Sequence, residues 1–112
     1  MYRVLIVDDE PLVAANIRAA LEEVRDQFPV EAVAGNGREA LRLIEERRPD
    51  IVVTDILMPG MTGIDLLRAC GSRFPETRFV IVSGHAEFEY ARAAMECGAV
   101  AYCLKPLQDQ ML

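Results

Sequence analysis

The sequence has 112 residues, of which 52% are hydrophobic and 27% are charged, and its net charge is −6. This length gives a single domain, and the composition excludes a disordered or low-complexity chain. The acidic balance argues against direct nucleic-acid binding by this domain, and no apolar run approaches the roughly 20 residues of a membrane-spanning helix.

Five short apolar runs, rich in Val and Ile, alternate with helical patterns along the chain. The runs are mostly continuous, as in strands that are buried on both faces of a parallel sheet. They cover Val4–Val7, Val30–Ala34, Ile51–Val53, Phe79–Val82 and Val100–Leu104. This alternation predicts a parallel α/β sandwich with right-handed crossovers.

The helical patterns between the runs differ in length. The first is the longest, with apolar residues at Val13, Ile17, Leu21, Val24 and Phe28. Shorter patterns follow, at Ala40, Leu41 and Ile44, at Leu66, Leu67 and Cys70, and at Ala91, Ala94 and Met95. A final helix is predicted to start near Leu107 and to be cut short by the end of the chain, so we interpret residues 1–112 as one domain with an incomplete last helix.

The three cysteines, Cys70, Cys97 and Cys103, form no C-x-x-C pattern. An odd count without metal-ligand spacing argues against a disulfide framework and against a zinc site. The N-terminus has three acids directly after its first apolar run, which does not fit a secretory signal. These features predict a cytoplasmic protein with reduced thiols.

Polar residues lie at the carboxyl ends of four of the five predicted strands. Asp8 and Asp9 directly follow the first strand, whereas Asp55 ends the third, Ser83 the fourth and Lys105 the fifth. Open α/β sheets bind ligands at this carboxyl edge. If the strand order is 2-1-3-4-5, the first and third strands are neighbours, and the three carboxylates converge at the topological switch point.

Three carboxylates in one crevice repel one another, and a hard divalent cation relieves that repulsion. Magnesium prefers oxygen ligands and is commonly held by one or two carboxylates together with a phosphate. Lys105, the only lysine in the chain, suits a phosphate as a point charge. A carboxylate such as Asp55 can then act as the nucleophile of phosphoryl transfer.

Each of these residues also has a purely structural interpretation. Asp8 and Asp9 fit as caps of the first helix, Asp55 as a turn residue, Ser83 as a helix cap and Lys105 as a solvated strand end. Their joint placement at one edge of the sheet favours a functional site.

Three segments carry a family resemblance: VLIVDDEP, VVTDILMPGMTGIDLL and FVIVSGHAEFEYARAAMECGAVAYCLKPL. Together they resemble the receiver domain of bacterial two-component response regulators, from the first strand to Pro106. The resemblance implies a flavodoxin-like three-layer sandwich with strand order 2-1-3-4-5. It also implies a stoichiometric phosphoacceptor rather than an enzyme.

The resemblance also implies roles for individual residues. Asp55 matches the phosphoacceptor, Asp9 the direct Mg²⁺ ligand and Asp8 an acid that binds the ion partly through water. The backbone carbonyl of Leu57 matches the third protein ligand. Leu57 also matches a position that orients the hydrolytic water in members with short-lived phosphorylation, as does His85. A leucine cannot hold a water, which predicts slow self-dephosphorylation.

Further matches concern the conformational switch. Ser83 matches the hydroxyl residue that turns toward the phosphoryl group, and Tyr102 matches the aromatic residue that changes rotamer with it. Lys105 matches the lysine that pairs with the phosphoryl group, and the Lys105–Pro106 bond is expected to be cis.

The resemblance implies a histidine kinase as partner and a C-terminal output domain outside this chain. The third segment is most similar to receivers joined to AraC-type DNA-binding domains, and homodimerisation on phosphorylation is a further expectation. A phosphate-independent pseudo-receiver is the main alternative, but that class lacks an acid or the lysine. A flavin or nucleotide enzyme predicts a glycine-rich phosphate loop in place of DDEP, and a haloacid-dehalogenase-type phosphatase predicts a D-x-D motif after the first strand.

Overall fold

Each predicted apolar run coincides with a β-strand to within two residues at each end in the computed structural model, which describes residues 1–84 and 88–104. The strands are β1 Val4–Val7, β2 Val30–Ala34, β3 Ile51–Asp55, β4 Arg78–Ser83 and β5 Ala101–Leu104. The helices are α1 Pro11–Leu21, α2 Gly37–Arg47, α3 Gly63–Gly71 and α4 Phe88–Glu96, with a 3-10 turn at Glu22–Val24.

The strands form one parallel sheet in the order β2-β1-β3-β4-β5, as predicted. The order reverses between β1 and β3, which pair directly from Val4 opposite Ile51 to Val7 opposite Thr54. The polar residues that follow these two strands are therefore neighbours at the switch point.

Hydrophobic layers cover both faces of the sheet. On one face, Leu5, Val7, Val52 and Ile81 pack into a core that includes side chains of α2, α3 and α4. On the other face, a smaller group that includes Ile6, Val53 and Val82 packs against Ala14 and Ile17 of α1. This two-sided burial explains why the strands appear in the sequence as continuous apolar runs.

The end of the first helix differs from its sequence pattern. The spacing of apolar residues continues to Phe28, but α1 ends at Leu21 and the chain tightens into the 3-10 turn. Val24 lies in this turn and is 40% exposed, whereas Phe28 stacks on Tyr2 with their ring centroids 5.8 Å apart. The periodicity therefore overestimated the helix by about two turns.

All three cysteines are free, and Cys70 is fully buried in the core. Burial raises the pKa of the Cys70 thiol to about 11, even though nearby Arg73 acts to lower it. Within residues 1–84 and 88–104, no helix is long and apolar enough to cross a lipid bilayer.

Several predictions concern residues outside the described ranges. They are the roles of His85 and Lys105, the cis Lys105–Pro106 bond, and the incomplete helix from Leu107. These remain predictions.

Candidate functional site

The carboxyl ends of β1 and β3 bring the first acidic residues together. Val7 and Thr54 form the last paired position of the two strands, and Asp8 and Asp55 each follow by one residue. Adjacent strands lie about 4.8 Å apart. Asp8 and Asp55 are both buried, at 2% and 6% exposure.

Three consecutive acids form a compact group after β1. The carboxylate oxygens of Asp8, Asp9 and Glu10 lie within 4.8 Å of one another, with Asp8 buried and the other two exposed. Glu10 was not assigned to the site from the sequence, although its position directly after Asp8-Asp9 was the available signal. Within the described residues, Asp55 does not belong to this close group of three.

Hydrogen bonds fix the position of Asp8. Its backbone N–H donates to the carbonyl of Ala34 in β2 at 3.0 Å, and its Oδ1 accepts from the backbone N–H of Glu10 at 2.9 Å. The predicted alternative, in which Asp8 and Asp9 cap α1, is wrong in detail. Glu10 occupies the N-cap, its side chain makes no capping hydrogen bond, and Pro11 opens the helix.

Asp55 is the last residue of β3, so its main chain is held by the sheet. Its Oδ1 accepts a hydrogen bond from the backbone N–H of Ile56 at 2.9 Å. The Thr54 hydroxyl donates to the carbonyl of Asp55 at 3.0 Å, and the Gly63 N–H donates to the carbonyl of Ile56 at 2.9 Å. This network makes Asp55 part of an ordered strand end rather than an ordinary turn residue.

Ser83 and Tyr102 lie on the same face of the sheet. Ser83 ends β4 and is fully buried, two residues after Ile81, which pairs with Tyr102 of β5. Side chains two residues apart in a strand share a face, and paired residues of neighbouring strands do too. Tyr102 is half-buried and packs against the core that contains Ile81.

The loop after Asp55 carries Leu57, whose side chain is 39% exposed. Its aliphatic side chain lacks any group that could orient a water.

The donor set suits a hard divalent cation. The three clustered acids offer carboxylate oxygens, the ligand type that Mg²⁺ prefers, and no imidazole or thiolate lies in the group. Asp8, Asp9 and Glu10 are therefore residues that could hold Mg²⁺, and the family resemblance adds Asp55, from the adjacent strand end, and the Leu57 carbonyl as candidate ligands.

Comparison with known proteins gives a consistent result. A family model described as the response regulator receiver domain matches residues 4–112. The chain is 37% identical to the uncharacterized transcriptional regulatory protein YesN of Bacillus subtilis over 112 residues. That match covers 100% of this chain but only 30% of YesN.

Solved structures agree in fold. The receiver domain of AraT, a response regulator from Geobacillus stearothermophilus, superposes with a TM-score of 0.88 at 33% identity, covering 98% of this chain and 85% of that one. A CheX-CheY-BeF3-Mg²⁺ complex from Borrelia burgdorferi matches with a TM-score of 0.89 at 26% identity, covering 98% and 82%. The neighbour from Borrelia was thus crystallised with a beryllofluoride group and magnesium.

Proposed function

This chain belongs to the response regulator receiver domain family, and from that premise we propose that it is a phosphoacceptor switch whose phosphorylated residue is Asp55. The observation that carries the proposal is the position of Asp55, which ends β3 at the switch point of the sheet beside the acidic residues that follow β1. A histidine kinase would be the physiological donor. The domain acts stoichiometrically rather than as an enzyme.

The chemistry is a single phosphoryl transfer. A carboxylate oxygen of Asp55 attacks the phosphorus of a phosphohistidine, an O–P bond forms and the P–N bond breaks. The leaving imidazole keeps the electron pair and takes up a proton. The Ile56 N–H, which already donates to Oδ1, holds the carboxylate in one orientation for this attack.

The acidic residues require a counterion for this reaction. Bound Mg²⁺, held by Asp8, Asp9, Asp55 and the Leu57 carbonyl, would offset the negative charge that the phosphoryl oxygens add to the site. Asp8 is fixed by hydrogen bonds to its neighbours, so its carboxylate is oriented before any ion binds. Lys105, outside the described residues, is the proposed partner of the phosphoryl group.

Ser83 and Tyr102 form the proposed two-state element. A phosphoryl oxygen that accepts the Ser83 hydroxyl draws it toward Asp55, and Tyr102, on the same face of the sheet, moves inward. Exposed residues of α4, such as Arg92, would report the change, while half-buried Tyr90 packs against the core. Amide NMR spectra with and without beryllofluoride test this, and unchanged resonances for residues 88–104 would remove the switch from the proposal.

The proposed output function belongs to a domain other than this receiver. YesN is named as a transcriptional regulatory protein, and this chain spans 30% of its length. We propose a cytoplasmic regulator in which a C-terminal output domain of AraC type binds DNA, with dimerisation on phosphorylation. The receiver itself, with a net charge of −6, does not bind DNA.

The direct test uses acetyl phosphate, which supplies the phosphoryl group and releases acetate. The protein is incubated with this donor and Mg²⁺, and its intact mass should rise by one phosphoryl group. Asp55→Asn should show no such adduct. An equal yield in Asp55→Asn would refute the assignment of Asp55, and no adduct in a folded wild-type protein would favour the phosphate-independent pseudo-receiver.

A further inference from the structure

The start of helix α3 approaches the end of β3 so closely that no side chain can be accommodated between them. A Cβ atom built on Gly63 would lie 2.3 Å from the carbonyl oxygen of Asp55 and 3.1 Å from the Cα of Ile56. Both neighbours are main-chain atoms, which cannot rotate away as a side chain can. Ordinary C···O contacts are about 3.3 Å or longer, so an added methyl group would displace the main chain by about 1 Å.

The close approach is part of a continuous hydrogen-bonded path to the reactive carboxylate. The Gly63 N–H donates to the carbonyl of Ile56 at 2.9 Å, and the N–H of the same Ile56 donates to Oδ1 of Asp55 at 2.9 Å. Ile56 is itself only 1% exposed, so this peptide has little freedom to relax. Any displacement of Gly63 therefore reaches the donor that orients the Asp55 carboxylate.

The carbonyl of Asp55 is also held from within its own strand. The Thr54 hydroxyl, fully buried, donates to this oxygen at 3.0 Å. At the other end of the loop, the side chain of Thr62 accepts from the N–H of Asp65 and the Asp65 carboxylate accepts from the N–H of Thr62. The start of α3 is thus fixed independently of Gly63 and cannot easily move away from the strand.

We propose that Gly63 and Thr54 are positioning residues for phosphoryl transfer, because they clamp the main chain of Asp55 and Ile56 between them. The inference rests on the proposed function of Asp55. The clamp determines where the Asp55 carboxylate points and where the next carbonyl along the loop, that of Leu57, lies.

The chain offers a matched control for the glycine. Gly71 ends the same helix, and a Cβ built there meets no atom within 4 Å. The variants Gly63→Ala and Gly71→Ala therefore make the same chemical change in one helix, with and without contact to the strand. A misplacement of about 1 Å in a reacting group can reduce a rate by roughly 100-fold.

The experiment measures the first-order phosphorylation rate at saturating acetyl phosphate and saturating Mg²⁺, at a temperature where circular dichroism shows each protein folded. Gly63→Ala should react at least tenfold more slowly than wild type, and Gly71→Ala within twofold. A folded Gly63→Ala variant within twofold of wild type would overturn the role of Gly63. If wild type itself is not phosphorylated, the proposed function fails rather than the clamp.

A second pair of variants tests the clamp without adding bulk at Gly63, which matters if Gly63→Ala does not fold. Thr54→Val removes the hydroxyl, whereas Thr54→Ser keeps it. Thr54→Val should be at least fivefold slower at saturation, and Thr54→Ser should remain within threefold of wild type. Equal rates for the two Thr54 variants would refute the clamp, since a purely structural role would affect their stability but not this ratio.

Discussion

At the amino edge of the sheet acidic side chains meet arginines, whereas at the carboxyl edge the acids meet one another. Arg3, just before β1, pairs with Glu31 of β2 at 3.1 Å and with Asp50, just before β3, at 3.8 Å. Arg47 of α2 approaches the same Glu31 at 3.8 Å. The Arg3 guanidinium also donates to the carbonyls of Arg47 and Arg48 at the end of α2.

The acids at the carboxyl edge differ in their ion pairing. All eleven arginines fall within the described ranges, yet no ion pair there joins an arginine to Asp9 or Glu10. Charge at the amino edge is balanced by the protein, which stabilises the fold. At the carboxyl edge, Asp8, Asp9 and Glu10 cluster instead, and in the proposed phosphoryl-transfer site a bound cation would balance their charge. Ion pairs that stabilise the fold thus lie at the amino edge of the sheet, whereas the residues of the proposed site lie at its carboxyl edge.

The largest stability effect is expected at Arg3. Arg3→Ala should lower the free energy of unfolding by about 1–2 kcal/mol, because it removes charge-assisted hydrogen bonds to the end of α2 along with two partly exposed ion pairs. Arg18→Ala, an exposed change on α1, serves as the control and should stay within about 0.5 kcal/mol of wild type.

Denaturant unfolding measures these differences, and acetyl phosphate measures the phosphorylation yield of the same proteins. The yield should not change in folded Arg3→Ala. A loss of yield in that folded variant would show that the two edges are not independent.

A smaller energetic effect is expected on the rate at which the phosphorylated state decays. Wild type should dephosphorylate over many minutes to hours, because the exposed side chain of Leu57 cannot orient a water. Leu57→Asn should accelerate decay by about threefold to tenfold, below the roughly hundredfold to thousandfold effect of removing one fully positioned catalytic group. Leu57→Met keeps an apolar side chain and should decay like wild type.

The decay is followed by intact mass after the donor is removed, with Mg²⁺ present. A wild-type half-life of seconds would contradict the prediction, and so would equal decay of the asparagine and methionine variants.

The smallest predicted effect is the pH dependence of stability that a buried core thiol, that of Cys70, contributes. The pKa of Cys70 is about 11 in the folded protein and near 9.0 in an unfolded chain. Above pH 9 the unfolded chain therefore releases a proton that the folded protein keeps, and stability falls as the pH rises toward 11. Deprotonation of the Cys70 thiol in the unfolded chain therefore lowers the free energy of unfolding by about 1 kcal/mol at pH 10.

The comparison protein is Cys70→Ala, which lacks the thiol but keeps the other titrating groups. Between pH 8 and pH 10 it should lose about 1 kcal/mol less stability than wild type in denaturant unfolding. Parallel pH profiles for the two proteins would contradict the raised pKa of the buried thiol.

Much of the architecture could be predicted because it depends on local composition. Continuous Val and Ile runs identify strands that are buried on both faces, and Asp55 and Ser83 were correctly placed at strand ends. The predicted end of α1 was wrong because Val24 and Phe28 continue the apolar spacing beyond Leu21, where the helix gives way to a 3-10 turn. Periodicity does not record where a helix stops.

Two features of the site could not be predicted in full. Glu10 resembles an ordinary residue at a helix start, and although it directly follows Asp8 and Asp9 in the sequence, its membership of the acidic group is established by the distances between the carboxylates. Gly63 precedes an apolar helical pattern, and nothing in the neighbouring sequence indicates that a Cβ atom at this position would collide with the carbonyl of Asp55. Such contacts depend on how α3 packs against β3, which a one-dimensional pattern does not contain.

The most direct test of the central claim is the Mg²⁺ dependence of Asp55 phosphorylation in wild type, Asp9→Asn and Asp26→Asn. Asp26 is an exposed acid in the turn after α1, so Asp26→Asn removes the same charge far from the carboxyl edge. With acetyl phosphate as donor, wild type and Asp26→Asn should share one saturable Mg²⁺ dependence and stop reacting with a chelator. Asp9→Asn should need at least tenfold more Mg²⁺ for half-maximal rate. Unchanged wild-type phosphorylation in the presence of chelator, or the same Mg²⁺ dependence in Asp9→Asn, would contradict the account.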